Sequence, residues 1–253
     1  MAARLIVALD VPAAAGIGAI VDALPPEIRF YKVGLELFAA AGPRALDPLR
    51  DRACSVFLDL KFHDIPRTVA RAVRAAAGEG ARLLTVHASG GRDMLRAAAD
   101  AAREAGPARP ALLAVTVLTS LDRSDLEAIG VSRDPADHVL ALAELALSCG
   151  IDGLVCSPRE LAGLRRRFGA APLLVAPGIR PPGGEAGDQK RVATPAAAVA
   201  DGATHLVVGR PILEAPDPAA AARAVLEDMV RGSPAGGAGA GGGGARAPGA
   251  PEP

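Results

Sequence analysis

The sequence has 253 residues, half of them apolar, and its basic and acidic residues balance at a formal net charge of zero. This length suits one large α/β barrel or two small domains. A neutral chain with no Trp and a single Tyr lacks both the positive field and the aromatic platforms that nucleic-acid binding usually requires. The composition therefore argues against a nucleic-acid-binding protein.

The first apolar run is short and ends at Asp10, and no later run approaches about 18 apolar residues. The pattern predicts neither a signal peptide nor a membrane span. The three cysteines, Cys54, Cys149 and Cys156, show no CxxC spacing, which favours buried, reduced thiols over a metal site. We therefore expect a soluble, cytoplasmic protein.

Short apolar runs alternate with longer segments of helical periodicity along most of the chain. The predicted strands are, in chain order, 5–9, 30–34, 55–60, 83–87, 112–118, 153–156, 173–176 and 205–209. Between them, segments such as 67–80 and 91–106 space their apolar residues so that one helical face can be buried. Eight such units favour a single-domain (β/α)8 TIM barrel over residues 1–231, with a doubly wound open sheet as the alternative.

Two segments interrupt this alternation. Residues 177–191, after the seventh strand, are too rich in Gly and Pro for a helix, and a long loop at that point of a barrel is suited to covering a ligand. Residues 232–253 are mainly Gly, Ala and Pro and offer almost nothing to bury. We predict that they form a disordered tail.

Charged residues stand at the ends of the first three predicted strands: Asp10, Lys32, and Asp59 with Lys61. Strand ends of this kind face the active site of a barrel, and charges there are costly to bury unless they are paired. Asp59 and Lys61 are two positions apart and so point to the same face of a strand. Asp64 follows where the next helix starts. An isolated Asp-Lys pair would suggest a structural salt bridge and Asp64 alone a helix N-cap, but this concentration of charge favours a site.

Only three of the 28 basic residues are lysines, namely Lys32, Lys61 and Lys190. Two explanations are equally good. The lysines stand at these positions by chance, or the positions require an ammonium group that can give up a proton. Carboxylates on either side of Lys61 would favour its charged form. A protonated lysine at a reacting carbon can stabilise a developing carbanion and then supply the proton.

The segment 202–212 has an apolar strand that ends in Gly209-Arg210 and continues into a helix. Barrels commonly bind phosphate after strands seven and eight, and they use backbone N–H groups and a guanidinium to do so. The segment therefore predicts a phosphate site.

Seven motifs together resemble those of the orotidine 5'-monophosphate decarboxylase family of pyrimidine synthesis. They are LIVALDVP, FYKVGLELF, FLDLKFHDIPRTV, LTVHASGG, AVTVLTS, APGIRPPGGEAGDQKRVATP and GATHLVVGRPI, which begin at residues 5, 30, 57, 84, 114, 176 and 202. They occur in the family's order and span about residues 4–230, leaving out only the tail.

The resemblance implies a carbon–carbon lyase that decarboxylates orotidine 5'-monophosphate to uridine 5'-monophosphate and CO2 without a metal or organic cofactor. It implies that Lys61 donates a proton to C6 of the pyrimidine and that Asp59 lies beside the substrate carboxylate. Asp10 and Lys32 would hold the ribose hydroxyls and complete the charge network.

The resemblance also implies a homodimer, in which Asp64, Ile65 and Thr68 reach into the partner subunit's site. Thr119 and Ser120 would meet the pyrimidine ring. The phosphate would be bound, under the loop 177–191, by Arg180, Gln189, Gly209 and Arg210.

One departure from the family pattern is Arg67, where Asn is common, which leaves the contacts around Thr68 open. His63 and His87 stand next to predicted site residues and are interpreted as supporting or packing groups; His138 and His205 give no site signal. Two rivals remain at this point. One is a magnesium-dependent enzyme that acts on sugar phosphates with the same Asp-x-Lys-x-x-Asp motif, and the other is a non-catalytic binder of a phosphate ligand.

Overall fold

The computed structural model describes residues 2–181 and 192–233. Within them, eight parallel strands in sequential order close into a barrel, so the predicted (β/α)8 fold is confirmed and the open sheet is excluded. The strands are β1 (Arg4–Leu9), β2 (Phe30–Gly34), β3 (Ser55–Phe62), β4 (Leu83–His87), β5 (Ala111–Val115), β6 (Gly153–Val155), β7 (Leu173–Ala176) and β8 (His205–Val208).

α-Helices connect the strands, and the last two of them follow β8. They are α1 (Ile17–Ala23), α2 (Leu35–Ala41), α3 (Asp47–Arg50), α4 (Pro66–Gly78), α5 (Gly91–Arg103), α6 (Arg123–Ala128), α7 (Pro135–Ser148), α8 (Leu161–Phe168), α9 (Pro195–Ala200), α10 (Arg210–Leu213) and α11 (Pro218–Gly232). Helices α4, α7, α9 and α11 begin with proline, whose fixed φ and missing N–H suit the first helical position. Side-chain oxygens of Asp134, Thr194 and Asp217 cap α7, α9 and α11.

The core has two parts. The larger cluster lies between strands and helices, and a smaller one fills the barrel with Ile6, Ala8, Phe30, Phe57, Leu83, Leu113, Val175 and Val207. Side chains alternate along a strand, so the residue two positions beyond each of these also faces inward. The residues two positions beyond Ala8, Phe30 and Phe57 are Asp10, Lys32 and Asp59. These charged side chains therefore lie directly above the apolar residues that fill the barrel.

Two predicted strand ends differ from the structure. β5 ends at Val115 rather than at residue 118, because its neighbour β6 ends at Val155 and the last link between them runs from Thr116 N–H to the Val155 carbonyl, 3.4 Å away. β3 continues past residue 60 to Phe62, through an irregular segment described below.

The predicted barrel boundary lies at residue 231, and α11 extends to the next residue, Gly232. Gly232 belongs to α11, where it packs so closely on α9 that an added Cβ would lie 2.1 Å from the Ala196 carbonyl oxygen. Residues 234–253 of the predicted tail lie outside the described residues.

Candidate active site

A cavity of about 240 Å³ lies at the C-terminal ends of the strands. It contains most of the residues that the sequence singles out: Asp10, Lys32, Asp59, Lys61, Thr119, Arg180, Gly209 and Arg210. Residues as far as 200 positions apart in the chain therefore meet in one pocket, which carries carboxylates, ammonium groups and guanidinium groups together.

Acidic and basic side chains alternate along one wall of the cavity. Lys32 Nζ lies 2.8 Å from Asp10 Oδ1 and 3.9 Å from Asp59 Oδ2. Lys61 Nζ lies 2.7 Å from the same Asp59 oxygen. The side chains of Lys32 and Asp59 are only 11% and 12% exposed, and charges so far from water need partners that face them directly. Asp59 is thus held between two lysines.

The backbone at Lys61 is irregular. β3 and β4 pair at Leu58–Leu84 and again at Phe62–Val86, so β3 advances four residues where β4 advances two. Lys61 lies in this bulge with a φ of +50°, a region that side-chain-bearing residues seldom occupy. Bulges redirect side chains and are frequent next to active sites. The bulge aims Lys61 into the cavity.

Thr85 on β4 contacts both members of the pair. Its Oγ1 accepts a hydrogen bond of 2.8 Å from the Lys61 backbone N–H and donates one of 3.0 Å to Asp59 Oδ1. The sequence analysis did not identify Thr85, although its place two residues after inward-facing Leu83 was a signal that it points into the barrel.

The predicted phosphate site lines the same cavity from the ends of β7 and β8. Pro177, Gly178 and Arg180 follow β7, and Gly209 and Arg210 follow β8. An added Cβ on Gly209 would lie 3.3 Å from both Ala8 Cβ and Asp10 Oδ2. The absence of a side chain at this position therefore lets β8 approach the first carboxylate of the charged wall.

The three residues that the sequence assigns to a partner's site lie outside this cavity. Asp64, Ile65 and Thr68 are exposed, and the Ile65 side chain is among the most exposed large apolar groups of the described residues, at 67%. Asp64 does not cap α4; its Oδ1 accepts a hydrogen bond of 2.6 Å from the Ile65 N–H. Arg67, the departure from the family pattern, is also exposed on the first turn of α4.

Ser120 and Gln189 are not seen in the cavity, for different reasons. Ser120 is exposed in a turn closed by a 3.0 Å hydrogen bond from the Leu121 N–H to the Leu118 carbonyl, so only Thr119 of the pair lines the pocket. Gln189 lies outside the described residues, as does the segment 182–191 of the predicted covering loop.

The cavity also has an apolar lining that the sequence analysis did not assign. It consists of Ala8, Phe57, Val115, Val117, Leu118, Val155, Cys156, Pro177, Gly178 and Val207. Several of these precede a predicted site residue by two positions, so the alternation along the strands was the signal that could have found them. Cys156 is buried, as is Cys149, which confirms the prediction for these two thiols, whereas Cys54 is only partly buried.

His63 and His87 stack beside the charged wall with ring centroids 5.4 Å apart. Burial lowers the pKa of His87, and the nearby His63 and Lys61 lower it further, while Asp59 opposes them. Neither histidine lines the cavity, which agrees with a supporting position rather than a direct one.

The sequence and the fold are both similar to those of known proteins. The model of the orotidine 5'-phosphate decarboxylase / HUMPS family matches residues 3–225. The chain belongs to this family. It is 55% identical over 226 residues to orotidine 5'-phosphate decarboxylase from Halorhodospira halophila, covering 89% of this chain and 95% of that one. It is 50% identical over 231 residues to the enzyme of the same name from Moorella thermoacetica, covering 89% and 92%.

A solved structure supports the same assignment. The crystal structure of orotidine 5'-phosphate decarboxylase from Lactobacillus acidophilus aligns with a TM-score of 0.80 and 39% identity, covering 90% of this chain and 99% of that one. The family match therefore covers all eight strands of the barrel.

Proposed function

We propose that the cavity decarboxylates orotidine 5'-monophosphate to uridine 5'-monophosphate and CO2, with Lys61 as the acid that protonates C6. The observation that carries the proposal is the position of Lys61 Nζ, 2.7 Å from Asp59 Oδ2 in a cavity that also contains Arg180 and Arg210. The family's reaction and the relatives' names agree with this assignment.

Substrate binding begins at the phosphate in this mechanism. Arg180 and Arg210, with the Gly209 backbone, bind the phosphate. Gln189 and most of the loop that the sequence analysis also assigns to the phosphate lie outside the described residues. Guanidinium groups suit this task because they bind phosphate oxygens in pairs. The binding energy of this remote group then aligns the pyrimidine ring against the charged wall.

The chemical step takes place between Asp59 and Lys61. Asp59 lies beside the substrate carboxylate and disfavours its negative charge, an effect that is relieved when CO2 leaves. The electron pair of the broken carbon–carbon bond stays on C6, where the ammonium of Lys61 stabilises it. Lys61 then transfers its proton to C6 and later regains one from water.

The remaining cavity residues position the nucleotide. Asp10 and Lys32 hold the ribose hydroxyls, with Lys32 also linking the two carboxylates. Thr119 meets the pyrimidine ring, with Ser120 beside it. The apolar lining excludes water from the reacting carbon, which strengthens the electrostatic interactions there.

We further propose that the enzyme is a homodimer in which Asp64, Ile65 and Thr68 complete the partner subunit's site. All three side chains are exposed and outside their own chain's cavity. An isoleucine that is 67% exposed is the type of group that an interface covers. This placement supports a role for the three residues in the site of a second copy of the chain.

The magnesium-dependent rival is disfavoured by the charge pairing. The Asp59 oxygen that would bind a cation lies 2.7 Å from Lys61 Nζ, and Asp10 is paired with Lys32. The relatives described above carry the decarboxylase name, although the family description also covers HUMPS.

The cytoplasmic location stays a prediction from composition. None of the helices in the described part of the chain is long and apolar enough to cross a membrane.

The test is an ultraviolet assay of orotidine 5'-monophosphate loss, run with and without a chelator. We expect full turnover in both conditions. Chelator sensitivity would support the magnesium-dependent rival, and binding without turnover would support the non-catalytic one. Lys61→Ala should abolish turnover while phosphate binding stays largely intact. Lys61→Arg is the matched control, because it keeps the positive charge but cannot release a proton.

A further inference from the structure

We propose that Thr85 is a positioning residue, whose hydroxyl fixes both the bulged backbone at Lys61 and the orientation of the Asp59 carboxylate. Thr85 lies in the middle of β4, is fully buried and does not line the cavity. It therefore acts through Lys61 and Asp59 rather than on the substrate. The inference rests on the proposed function only for its kinetic consequences.

The backbone argument starts from the bulge. Because β3 carries two extra residues between its pairings with β4, the Lys61 N–H is displaced from the regular ladder. The N–H instead donates to Thr85 Oγ1 at 2.8 Å. Without this acceptor, the N–H would lose its partner in a part-buried position, which is costly. The bond thus compensates for the unfavourable φ of +50° at Lys61.

The orientation of the Asp59 carboxylate follows from the hydrogen-bonding capacity of a hydroxyl group, which can donate one proton and accept at two sites. Thr85 accepts from Lys61 N–H, and its own proton goes to Asp59 Oδ1 at 3.0 Å. This bond holds Oδ1 and leaves Oδ2 for the lysines, at 2.7 Å from Lys61 Nζ and 3.9 Å from Lys32 Nζ. One hydroxyl therefore determines which Asp59 oxygen faces the ammonium groups.

The two hydrogen bonds have a joint consequence. They connect the backbone of Lys61, the proposed acid, to the side chain of Asp59, the carboxylate proposed to lie beside the substrate carboxylate. A shift of either group therefore displaces the other. Placing reacting groups correctly contributes much of an enzyme's rate, and a displacement of about 1 Å can reduce it about 100-fold. Loss of the hydroxyl should therefore lower kcat more than it changes KM.

The kinetic experiment compares Thr85→Val, which keeps the shape but lacks the hydroxyl, with Thr85→Ser, which keeps the hydroxyl. We expect kcat to fall about 10- to 100-fold in Thr85→Val with KM within about threefold, and Thr85→Ser to restore most of kcat. The matched control is Thr116→Val, because Thr116 is also buried and its hydroxyl donates to the Val155 carbonyl, away from the charged wall. Equal kcat in Thr85→Val and Thr116→Val, or a Thr85→Ser variant as impaired as Thr85→Val, would overturn the proposal.

A second measurement does not depend on activity. The chain has three lysines, so labelling with ¹⁵N-lysine reports few backbone amides, and Lys61→Arg identifies the Lys61 signal. We expect the Lys61 amide to exchange with solvent about tenfold faster in Thr85→Val than in wild type or Thr85→Ser, the factor for one lost hydrogen bond. The Lys32 amide, on β2, should not change.

The outcomes separate the two proposals. Unchanged exchange of the Lys61 amide in Thr85→Val would reject the role of Thr85, whatever the kinetics. A wild-type protein without decarboxylase activity would reject the proposed function, while the exchange measurement would still decide the role of Thr85. Should Thr85→Val fail to fold, Thr85→Ala carries the same expectations, because it removes the hydroxyl and leaves room for the strands to relax.

Discussion

The α-carbon of Gly34 faces the amino group of Lys32 so closely that an added Cβ would lie 2.9 Å from Lys32 Nζ. The same Cβ would lie 3.6 Å from Asp10 Oδ1. Gly34 has a φ of −98° and a ψ of −174°, a conformation open to any residue. The position therefore requires the absence of a side chain rather than the flexibility of glycine, and the space is used by the Lys32–Asp10 pair.

Gly34→Ala should reduce catalysis with little change in stability. The new methyl group would displace Lys32 Nζ, which is the flexible end of a long side chain, and would weaken its 2.8 Å contact with Asp10. We expect kcat/KM to fall about 10- to 100-fold, measured by the ultraviolet assay, and the melting temperature to change little. Gly78→Ala, at the end of α4 with open space around it, is the control. Equal kcat/KM for the two variants would contradict the proposed importance of this space.

Arg210→Ala should weaken substrate binding and catalysis together, because phosphate binding is proposed to align the pyrimidine ring against the charged wall. We expect KM to rise and kcat to fall, with kcat/KM lower by about 100-fold or more, in line with the loss of a charge-assisted contact. Arg223→Ala, on an exposed part of α11, is the matched control. Kinetics like those of the control would remove Arg210 from the phosphate site.

Mixing two inactive variants should restore activity if the sites lie at a dimer interface. Lys61→Ala damages the chain's own site, whereas Asp64→Ala damages the partner's. A hybrid dimer then carries one site with both residues intact. We expect each variant alone to be strongly impaired and the mixture to recover part of the activity after subunit exchange. A mixture no more active than its components, with dimers confirmed by light scattering, would place Asp64 in its own chain's site or in none.

His205 should make the protein less stable below neutral pH. Burial, and secondarily the charge of Arg4, lowers the pKa of His205 to about 4 in the folded protein from an ordinary value of 6.5. The unfolded chain takes up a proton below 6.5 and the folded chain does not, so this contribution is complete above about 6.5 and is lost as the pH falls towards 4. Over that range the free energy of unfolding should fall by up to about 3 kcal/mol.

The measurement for this last prediction is the melting temperature between pH 4 and pH 7. His205→Asn removes the titrating group and should flatten the curve relative to wild type. His138→Asn is a useful comparison, since His138, in α7, is less buried than His205. Parallel curves for wild type and His205→Asn would show that other groups cause the pH dependence.

The local sequence pattern predicted the fold well for a physical reason. In a parallel barrel, each strand is buried on both faces and appears as a short apolar run, while each helix shows one apolar stripe. Charges at the ends of such runs stand out because burial is costly for them. The sequence alone therefore places Asp10, Lys32, Asp59 and Lys61 at one end of the barrel.

Element ends were predicted less accurately because they depend on neighbouring strands. The end of β5 at Val115 could not be predicted from its own sequence, since it depends on how far β6 extends beside it. Gly232 looked like the start of the tail by composition, yet its lack of a side chain is what lets α11 pack on α9. In both cases the deciding partner is distant in the chain.

The sequence by itself determined which residue types stand at the strand ends, because alternation and apolar runs are local properties of the chain. The tertiary structure alone decided how those residues face one another. The bulge between β3 and β4, the unusual φ of Lys61, and the Thr85 hydroxyl between Lys61 and Asp59 all follow from the register of two strands. Register is fixed by packing against the rest of the barrel, and so it cannot be obtained from either strand's sequence alone.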